Sequence, residues 1–225
     1  MARTQAADYE DQRARILDDA AEAFADSGYA ACSMSDIALR SGASKARLYQ
    51  YYASKEAILF DLLDRHTQGL ADVAAGVRRR AAEASLDAAA ELQLMVASFL
   101  EAYRTARTRH IALLNDVKFL GETQRERIVT RERSLVNAFA DLLVRAFPGR
   151  VTAANQRAVT MMLMGAMNWT FTWLKPDGPL SYGDYAKQVI RVFFDGLAGP
   201  AAAPAPRERS ARIGRPRQPH PRGTP

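Results

Sequence analysis

Residues 33 to 56 constrain the fold most strongly, because they place two short helical patterns on either side of a glycine turn. Ser33 can accept hydrogen bonds from the free N–H groups of a first helix, and Asp36 three residues later completes the capping pattern. Gly42 offers the positive φ that an abrupt helix end requires. Ser44 is then in position to cap a second helix, so the stretch predicts a helix, a tight turn and another helix.

The second helix, from Lys45 to about Tyr52, has the side chains of a helix that reads DNA. Two helices joined by a tight glycine turn form a helix-turn-helix, in which the second helix enters the major groove. Leu48 and Tyr52 lie four residues apart, and Tyr52 is predicted to pack in the core. We expect base contacts from Lys45, Arg47, Tyr49 and Gln50, and phosphate contacts from Ser33, Tyr51 and Lys55.

Positive charge is concentrated locally, whereas the overall charge of the chain is a poor guide to DNA binding. Residues 40 to 55 hold four cationic residues and no acidic one, while residues 1 to 39 hold eight acidic and three basic residues. Most of the formal charge of +6 comes from residues 199 to 225, which carry six arginines and one glutamate. The DNA-binding hypothesis therefore depends on the local pattern, which suits phosphate neutralisation.

The run from Gly42 to Ala57, GASKARLYQYYASKEA, resembles the recognition segment of the tetracycline-repressor-like (TetR/AcrR) regulators. Residues 16 to 24, followed by Ser27-Gly-Tyr29, resemble the first helix of that family and its exit. Two positions depart from the pattern, because Arg47 stands where Thr or Ser is usual and Ala53 where Pro is common. The resemblance implies a ligand-responsive, sequence-specific transcriptional regulator, most simply a repressor. The operator sequence is not carried over, since Arg47 can change which bases are read.

The rest of the chain shows helical periodicity and no strand alternation, which predicts an all-α fold of about nine helices. We expect residues 1 to 10 to be a flexible N-terminus, followed by a first helix from about Gln12 to Ser27. Residues 11 to 56 are predicted to form a three-helix helix-turn-helix DNA-binding domain. Residues 57 to 198 are predicted to form a larger helical domain for effector binding and dimerisation.

Residues 199 to 225 are predicted to be a disordered basic tail. They hold seven of the ten prolines and one large apolar residue, too little apolar surface to offset the entropy of ordering. Within them Gly214-Arg-Pro-Arg217 resembles the core of an AT-hook, which reads narrow minor grooves. Nonspecific attraction to phosphates and a purely solubilising role are the alternatives.

The last predicted helix, residues 185 to 197, is apolar along two rows, whereas a helix on the surface of a monomer needs one. The second row predicts burial against a partner, and the resemblance implies a homodimer whose interface uses two helices of each subunit. Burial inside a monomer is the alternative. A two-fold dimer reads two half-sites about 34 to 36 Å apart, or a multiple of that distance, which predicts a palindromic operator.

Methionine and aromatic residues between 161 and 173 suggest an apolar effector site, since methionine adapts to variable ligand shapes. Core packing is the alternative for each of them. The run from Asn168 to Gly178 resembles a motif of TetR-like regulators of lipid, steroid or aromatic-acid breakdown, several of which respond to acyl-CoA thioesters. We therefore expect a small apolar or acyl-CoA-like effector with its acidic end near Arg104, Arg107 or Arg109. The candidate contacts are Phe99, Tyr103, Met162, Asn168, Trp169 and Trp173.

Several other classes of protein find little support in the sequence. Cys32 is the only cysteine and the three histidines are scattered, which excludes an internal disulfide and gives no metal-ligand spacing. No secretion signal and no apolar run near the ~20 residues of a membrane span are evident, so we expect a cytoplasmic protein. We expect no cofactor and no catalysis, because phosphate-loop and nucleophile motifs are missing. The alternatives are a helical DNA-compacting protein without an effector, which uses the basic tail, and, least supported, a helical enzyme.

Overall fold

The computed structural model describes residues 2–198, with side chains described for residues 8–197. Within this range the chain is all-α, with no strand. Its helices are α1 (Ala2–Ser27), α2 (Met34–Arg40), α3 (Lys45–Tyr51), α4 (Lys55–Glu83), α5 (Ala88–Thr105), α6 (Arg107–Asp116), α7 (Glu122–Ala146), α8 (Gln156–Asn168), α9 (Thr170–Trp173) and α10 (Tyr182–Ala198). Ten helices are named for the described residues, but α9 is a single turn that follows α8 after one residue and can be counted with it. The expected all-α fold of about nine helices is therefore confirmed. The predicted basic tail and its AT-hook-like run lie outside the described residues.

The first helix is longer than the sequence pattern predicts. It begins at Ala2 rather than near Gln12, so the residues expected to be a flexible N-terminus form its first turns. Residues 2 to 12 contain no glycine or proline, and their alanines favour continuation of the helix. The long helix α4 is continuous through Gly69 and Gly76. Each glycine costs ~1 kcal/mol relative to alanine, and packing on both sides of α4 offsets that cost.

Helices α1, α2 and α3 pack with the first half of α4 around one apolar core. Ile16, Ile37, Leu48 and Leu59 are almost completely buried in it. Residues of α6 and α7, Leu113 among them, also enter this core. The DNA-binding unit is therefore closed partly by the helices that follow it, and the predicted boundary after residue 56 falls inside the continuous helix α4.

A second apolar core lies between the second half of α4 and helices α5, α7, α8 and α10. Phe99 of α5 and Phe139 of α7 meet edge to face, with ring centroids 4.9 Å apart. Leu163 and Met167 bring α8 into the same core. Within the described residues, no helix combines the length and the apolar character that crossing a membrane requires.

Candidate nucleic-acid interface and effector site

The turn between α2 and α3 has the geometry that its sequence predicts. Ser33 and Asp36 form the capping box of α2, with the N–H of Asp36 donating to Ser33 Oγ at 3.2 Å. Gly42 has a φ of +59°, a left-handed conformation that strains residues with a Cβ. Ser44 caps α3 by accepting the N–H of Arg47 at 3.1 Å. Leu48 is 0% exposed and anchors α3 to the domain, so the opposite face of α3 is presented outward.

The outward face of α3 carries the four side chains expected to contact bases, Lys45, Arg47, Tyr49 and Gln50. All four are exposed, and none of them forms a side-chain hydrogen bond or ion pair with another described residue. A recognition helix requires this arrangement, because side chains that read base edges must be free of internal partners before DNA arrives.

The cationic residues on either side of α3 are already engaged within the protein. Arg40 forms ion pairs with Glu22 and Asp26 of α1. Lys55 donates hydrogen bonds of 2.6 Å to the backbone carbonyls of Tyr29 and Cys32, and its ammonium lies 4.2 Å from the centre of the Tyr29 ring. The local positive charge available to phosphates is therefore that of α3 itself.

Lys55, which is expected to contact a phosphate, also has partners inside the protein. The loop between α1 and α2 leaves carbonyl oxygens without helical partners, and an ammonium group can satisfy two of them at once. The ammonium group has three N–H donors, and its third contact, to the carbonyl of Ala30, is long at 3.5 Å. The structure therefore gives Lys55 a structural role at the start of α4.

The other two expected phosphate contacts lie beside α3. Ser33 is exposed, but its hydroxyl donates to the Asp36 carboxylate at 2.7 Å, so it already has an internal acceptor. Tyr51 is half-buried and stacks on Tyr9 of α1, with ring centroids 4.8 Å apart. The N-terminal turns of α1 therefore support the recognition helix, a contact that the sequence pattern did not indicate.

Tyr52 is buried, as predicted, and connects α3 to its neighbours. Its hydroxyl donates to Asp61 Oδ2 at 2.6 Å, and Arg13 of α1 donates to the same oxygen at 2.6 Å. Burial and the Asp61 carboxylate both raise the pKa of Tyr52, so the hydroxyl stays protonated and donates. This network holds the recognition helix at a defined angle to α1 and α4.

An apolar stripe on α8, α9 and α10 is exposed in the single chain. Met162 is 66% exposed, Trp169 63% and Val192 69%, and Met161 and Trp173 are exposed beside them. Residues 161, 165 and 169 follow one another at the four-residue spacing of a single helix face. A group of exposed large apolar side chains of this kind indicates an interaction site.

The six candidate effector contacts are divided between the second core and the surface of the single chain. Phe99 and Tyr103 are buried in the second core, whereas Met162, Trp169 and Trp173 point outward on the exposed stripe. The reason is helical geometry, since Met162 lies on the face of α8 opposite the buried residues. Asn168 is half-buried between the two sets.

A cleft of about 620 Å³ lies instead between α7 and α8. It is lined by apolar and charged side chains, among them Val129, Glu132, Arg133, Val136, Arg157, Thr160 and Met161. Burial raises the pKa of Glu132, which favours its neutral form and makes the wall of the cleft less polar. A cleft of this size, mainly apolar with a few polar groups, suits a small-molecule ligand.

The three arginines expected near an acidic effector group differ in their surroundings. Arg104 pairs with Glu101, and Arg109 pairs with Asp18 of α1. Arg107 donates to the carbonyl oxygen of Phe171 at 2.7 Å and has no acidic partner among the described residues. Arg107 is therefore the one of the three whose charge is not paired with a carboxylate among the described residues.

Sequence reasoning missed a contact between two histidines. His66 of α4 and His110 of α6 are 44 positions apart, and their rings lie side by side in the interior, with Nε2 of His66 3.2 Å from Nδ1 of His110. No spacing rule connects them, so only the packing of α4 against α6 could show the pair. Among the described residues, no group of three or more His, Cys, Asp or Glu side chains is arranged to hold a metal ion.

Profiles of known families match both parts of the chain. The profile described as "Bacterial regulatory proteins, tetR family" matches residues 16–62, which include α2, the turn and α3. The profile described as "Tetracyclin repressor-like, C-terminal domain" matches residues 85–197, which include the cleft and the exposed apolar stripe.

Individual relatives agree with these matches over most of the chain. The HTH-type transcriptional repressor KstR2 of Rhodococcus jostii is 27% identical over 195 residues, covering 84% of this chain and 92% of its own length. A TetR-family transcriptional regulator from Bordetella parapertussis is 34% identical, with a TM-score of 0.76, covering 85% of this chain and 98% of that one. The crystal structure of AibR in complex with isovaleryl coenzyme A and operator DNA shares the fold, with a TM-score of 0.69 and 22% identity, covering 80% of this chain and 97% of that one.

Both family profiles, the 34% identical structure and the exposed recognition helix lead to one assignment. The regulators of this family bind operator DNA as dimers. The chain belongs to the TetR family of bacterial transcriptional regulators.

Proposed function

We propose that this regulator is a homodimeric repressor that leaves a palindromic operator when a small apolar or acyl-CoA-like effector binds. The observation that carries the proposal is the outward face of α3, where Lys45, Arg47, Tyr49 and Gln50 are exposed without internal partners. These four side chains are the proposed base contacts. Tyr51 is the proposed phosphate contact, whereas Ser33 and Lys55 are engaged inside the protein.

The exposed stripe on α8 and α10 supports the dimer. One Trp, Trp169, buries on the order of 150 to 250 Å² when it is fully covered, so a two-fold contact through this face removes much apolar surface from water. A two-fold contact is isologous, which means that each stripe covers the equivalent stripe of the other subunit. The two α3 helices of such a dimer read two half-sites, which requires a palindromic operator.

The cleft between α7 and α8 is the proposed entry for the effector. Its apolar side chains can receive an acyl chain, and Arg133 and Arg157 at its wall can bind the phosphates of coenzyme A. AibR, which shares the fold, was solved with isovaleryl coenzyme A and operator DNA, and that complex supports an acyl-CoA as the first compound to test here. KstR2 carries the name of a repressor, which supports repression, whereas FasR of Mycolicibacterium smegmatis, 26% identical over 190 residues, carries the name of an activator.

Contacts between α6 and the DNA-binding unit offer a route from effector to operator. Arg109 of α6 pairs with Asp18 of α1, and Phe119 after α6 stacks on Tyr29, with ring centroids 4.8 Å apart. A shift of α6 therefore moves α1 and with it α3. A coupling of ~1 to 3 kcal/mol corresponds to an effector-dependent loss of operator affinity of about 5- to 150-fold.

The remaining assignments follow from this function. Residues 11 to 56 are the proposed DNA-binding domain, and residues 57 to 198 the proposed domain for effector binding and dimerisation. The regulator acts by binding rather than by catalysis, and its place of action is the cytoplasm, where its operator is.

The experiment is a binding-site selection with the full chain, followed by footprinting on the selected DNA. We expect a palindromic sequence, and Arg47→Ala should relax the base preference at one position in each half-site, by ~1 to 3 kcal/mol. Arg78→Ala is the matched control, because Arg78 is an exposed arginine on α4, outside α3. Uniform coating of any DNA, with no effect of Arg47→Ala on sequence preference, would instead indicate the compacting protein without an effector.

A further inference from the structure

A second cleft lies between the N-terminal turns of α1 and the recognition helix α3. It has a volume of about 420 Å³. Its α1 side consists of Asp8, Tyr9, Asp11, Gln12 and Arg15, and its α3 side of Arg47 and Tyr51. Residues 8, 12 and 15 follow one another at helical spacing on α1, and residues 47 and 51 do so on α3. The cleft therefore continues the exposed face of α3 onto α1.

The two arginines near the start of α1 differ in their engagement. Arg13 pairs with Glu10 and with Asp61, so its charge is used inside the protein. Arg15 is exposed at the cleft and forms no ion pair or side-chain hydrogen bond with another described residue. Arg15 therefore retains its charge and its N–H donors for a partner from outside the chain.

Tyr9 restrains the ring of Tyr51 beside this arginine. The two rings stack with centroids 4.8 Å apart and planes 24° apart. Tyr9 is 42% exposed, so the contact lies at the surface, where the operator approaches α3. A ring that is already restrained loses less conformational entropy when its hydroxyl forms a hydrogen bond with a ligand. The stack thus prepares Tyr51 for the phosphate contact proposed for it.

The donors along the cleft suit a phosphodiester group. Arg15 offers a planar fork of N–H donors, Gln12 an amide and Tyr51 a hydroxyl. Backbone phosphates accept hydrogen bonds from all three kinds of group, and a guanidinium binds phosphate oxygens bidentately. When a recognition helix enters the major groove, the helices packed on it cross the DNA backbone that borders the groove. The side of α3 that faces α1 is therefore where such a backbone meets this protein.

Two carboxylates set the charge balance of the cleft. Asp8 and Asp11 line it together with Arg15 and Arg47, so the four formal charges cancel. Long-range attraction of DNA to this surface is consequently weak, and a phosphate is held there by short, directional hydrogen bonds. A carboxylate beside a bound phosphate also repels it, so removal of the acids has a defined effect.

We propose that the cleft between α1 and α3 binds one backbone phosphate in each half-site of the operator. Arg15, Gln12 and Tyr51 donate hydrogen bonds to this phosphate, and Tyr9 is the positioning residue for Tyr51. Arg47 remains a base contact. The inference rests on the proposed function, because it extends the proposed operator contacts of α3 to α1.

The first arm of the test replaces Arg15 by glutamine in the full chain. Affinity for the selected operator is measured between about 0.05 and 0.3 M salt. We expect binding weaker by roughly eightfold per subunit at about 0.1 M salt, and a log–log salt dependence flatter by ~0.9 per subunit. Arg78→Gln, at an exposed arginine of α4, is the matched control and should change neither quantity. An Arg15→Gln variant with an unchanged salt dependence overturns the proposal.

The second arm neutralises the two carboxylates by the joint substitution of Asp8→Asn and Asp11→Asn. Removal of their repulsion should strengthen operator binding, by roughly threefold for the dimer at about 0.05 M salt, and the gain should shrink as salt screens the charges. Asp141→Asn, at an exposed aspartate of α7, is the control and should leave the affinity unchanged. An unchanged affinity of the double variant overturns the proposal, because it places no phosphate beside these acids.

The third arm tests the positioning role of Tyr9. Tyr9→Phe keeps the stacked ring and should bind the operator as the wild type does, whereas Tyr9→Ala should bind more weakly. Because Tyr9 acts through Tyr51, the further change Tyr51→Phe should cost less affinity in Tyr9→Ala than in the wild type. Equal costs in the two backgrounds overturn the positioning role. Thermal unfolding of each variant separates loss of binding from loss of the fold.

A duplex of unrelated sequence separates this inference from the proposed function. Contacts to phosphates do not depend on base sequence, so the first two arms are repeated on that duplex. A protein without a palindromic operator, or without a response to any effector, contradicts the proposed function. The salt dependence of Arg15→Gln on the unrelated duplex then decides on the cleft alone: a flatter dependence than that of the wild type supports it, and an equal one overturns it.

Discussion

Replacing Lys55 by methionine separates its two possible roles, because a structural lysine and a phosphate contact predict opposite results. Methionine keeps an unbranched apolar stem and removes the ammonium group. In the structure that group donates to the carbonyls of Tyr29 and Cys32, each at 2.6 Å, and lies over the Tyr29 ring. Lys55→Met therefore leaves two loop carbonyls without their donor.

The expected loss of stability follows from these contacts. Hydrogen bonds from a charged donor contribute ~1.5 to 3 kcal/mol each, and an exposed cation–π contact ~0.5 to 1 kcal/mol. Because Lys55 is half-buried and water can reach part of the site, we take the lower end, which gives about 3.5 kcal/mol in total. For a protein of this length, a loss of that size lowers the melting temperature by roughly 7 to 14 °C.

The assays are thermal unfolding by circular dichroism and operator affinity measured at several salt concentrations. Lys45→Met is the matched control, since Lys45 is exposed on α3 without an internal partner. We expect the control to keep its stability within about 0.5 kcal/mol and to bind the operator more weakly. An unchanged melting temperature for Lys55→Met, with a salt dependence flatter by ~0.9 per subunit, would instead show that Lys55 neutralises a phosphate and would refute its structural role.

Three further changes have defined outcomes. Trp169→Asp should convert the dimer to a monomer in analytical ultracentrifugation. Leu86→Asp, at an exposed apolar residue away from the stripe, is the control and should leave the dimer intact. A Trp169→Asp variant that remains dimeric would exclude this face as the interface. Gly42→Ala should cost ~1 to 2 kcal/mol in urea unfolding, because its φ of +59° strains a residue with a Cβ, and an unchanged stability would contradict that conformation. The lowered pKa values of His66 and His110, about 4 and about 3, mean that the unfolded chain binds more protons than the folded chain below pH 6.5. Stability should therefore fall as pH drops from about 6.5 toward 4, by ~1.4 kcal/mol per pH unit for each histidine, and the joint replacement of both by phenylalanine should remove that slope.

The predictions that depend only on residues close together in the sequence agree best with the structure. The capping box of α2, the left-handed Gly42 and the cap at Ser44 depend on residues within a few positions of one another, so their geometry is almost determined by the backbone and the side chains involved. The burial of Leu48 and Tyr52 follows from their four-residue spacing on α3. For the same reason the outward face of α3 could be named before any tertiary contact was known.

The predictions that depend on contacts between residues far apart in the sequence agree less well with the structure. The positive charge counted around α3 included Arg40 and Lys55, which the fold engages with α1 and with the loop after it. The aromatic and methionine residues between 161 and 173 suggested one cavity, but the rotation of α8 turns Met162 and Trp169 outward. A sequence pattern shows which residues share a helix face and does not show which face meets the core.

The sequence by itself determined that this chain is all-α, that it carries a helix-turn-helix, and which face of α3 points outward, because these properties arise from short-range hydrogen bonding and helical periodicity. Only the tertiary structure decided that Lys55 turns inward, that His66 meets His110, and that a cleft opens between α7 and α8. Those features depend on contacts between residues tens of positions apart, and the free energy that selects them comes from burying whole helix faces together.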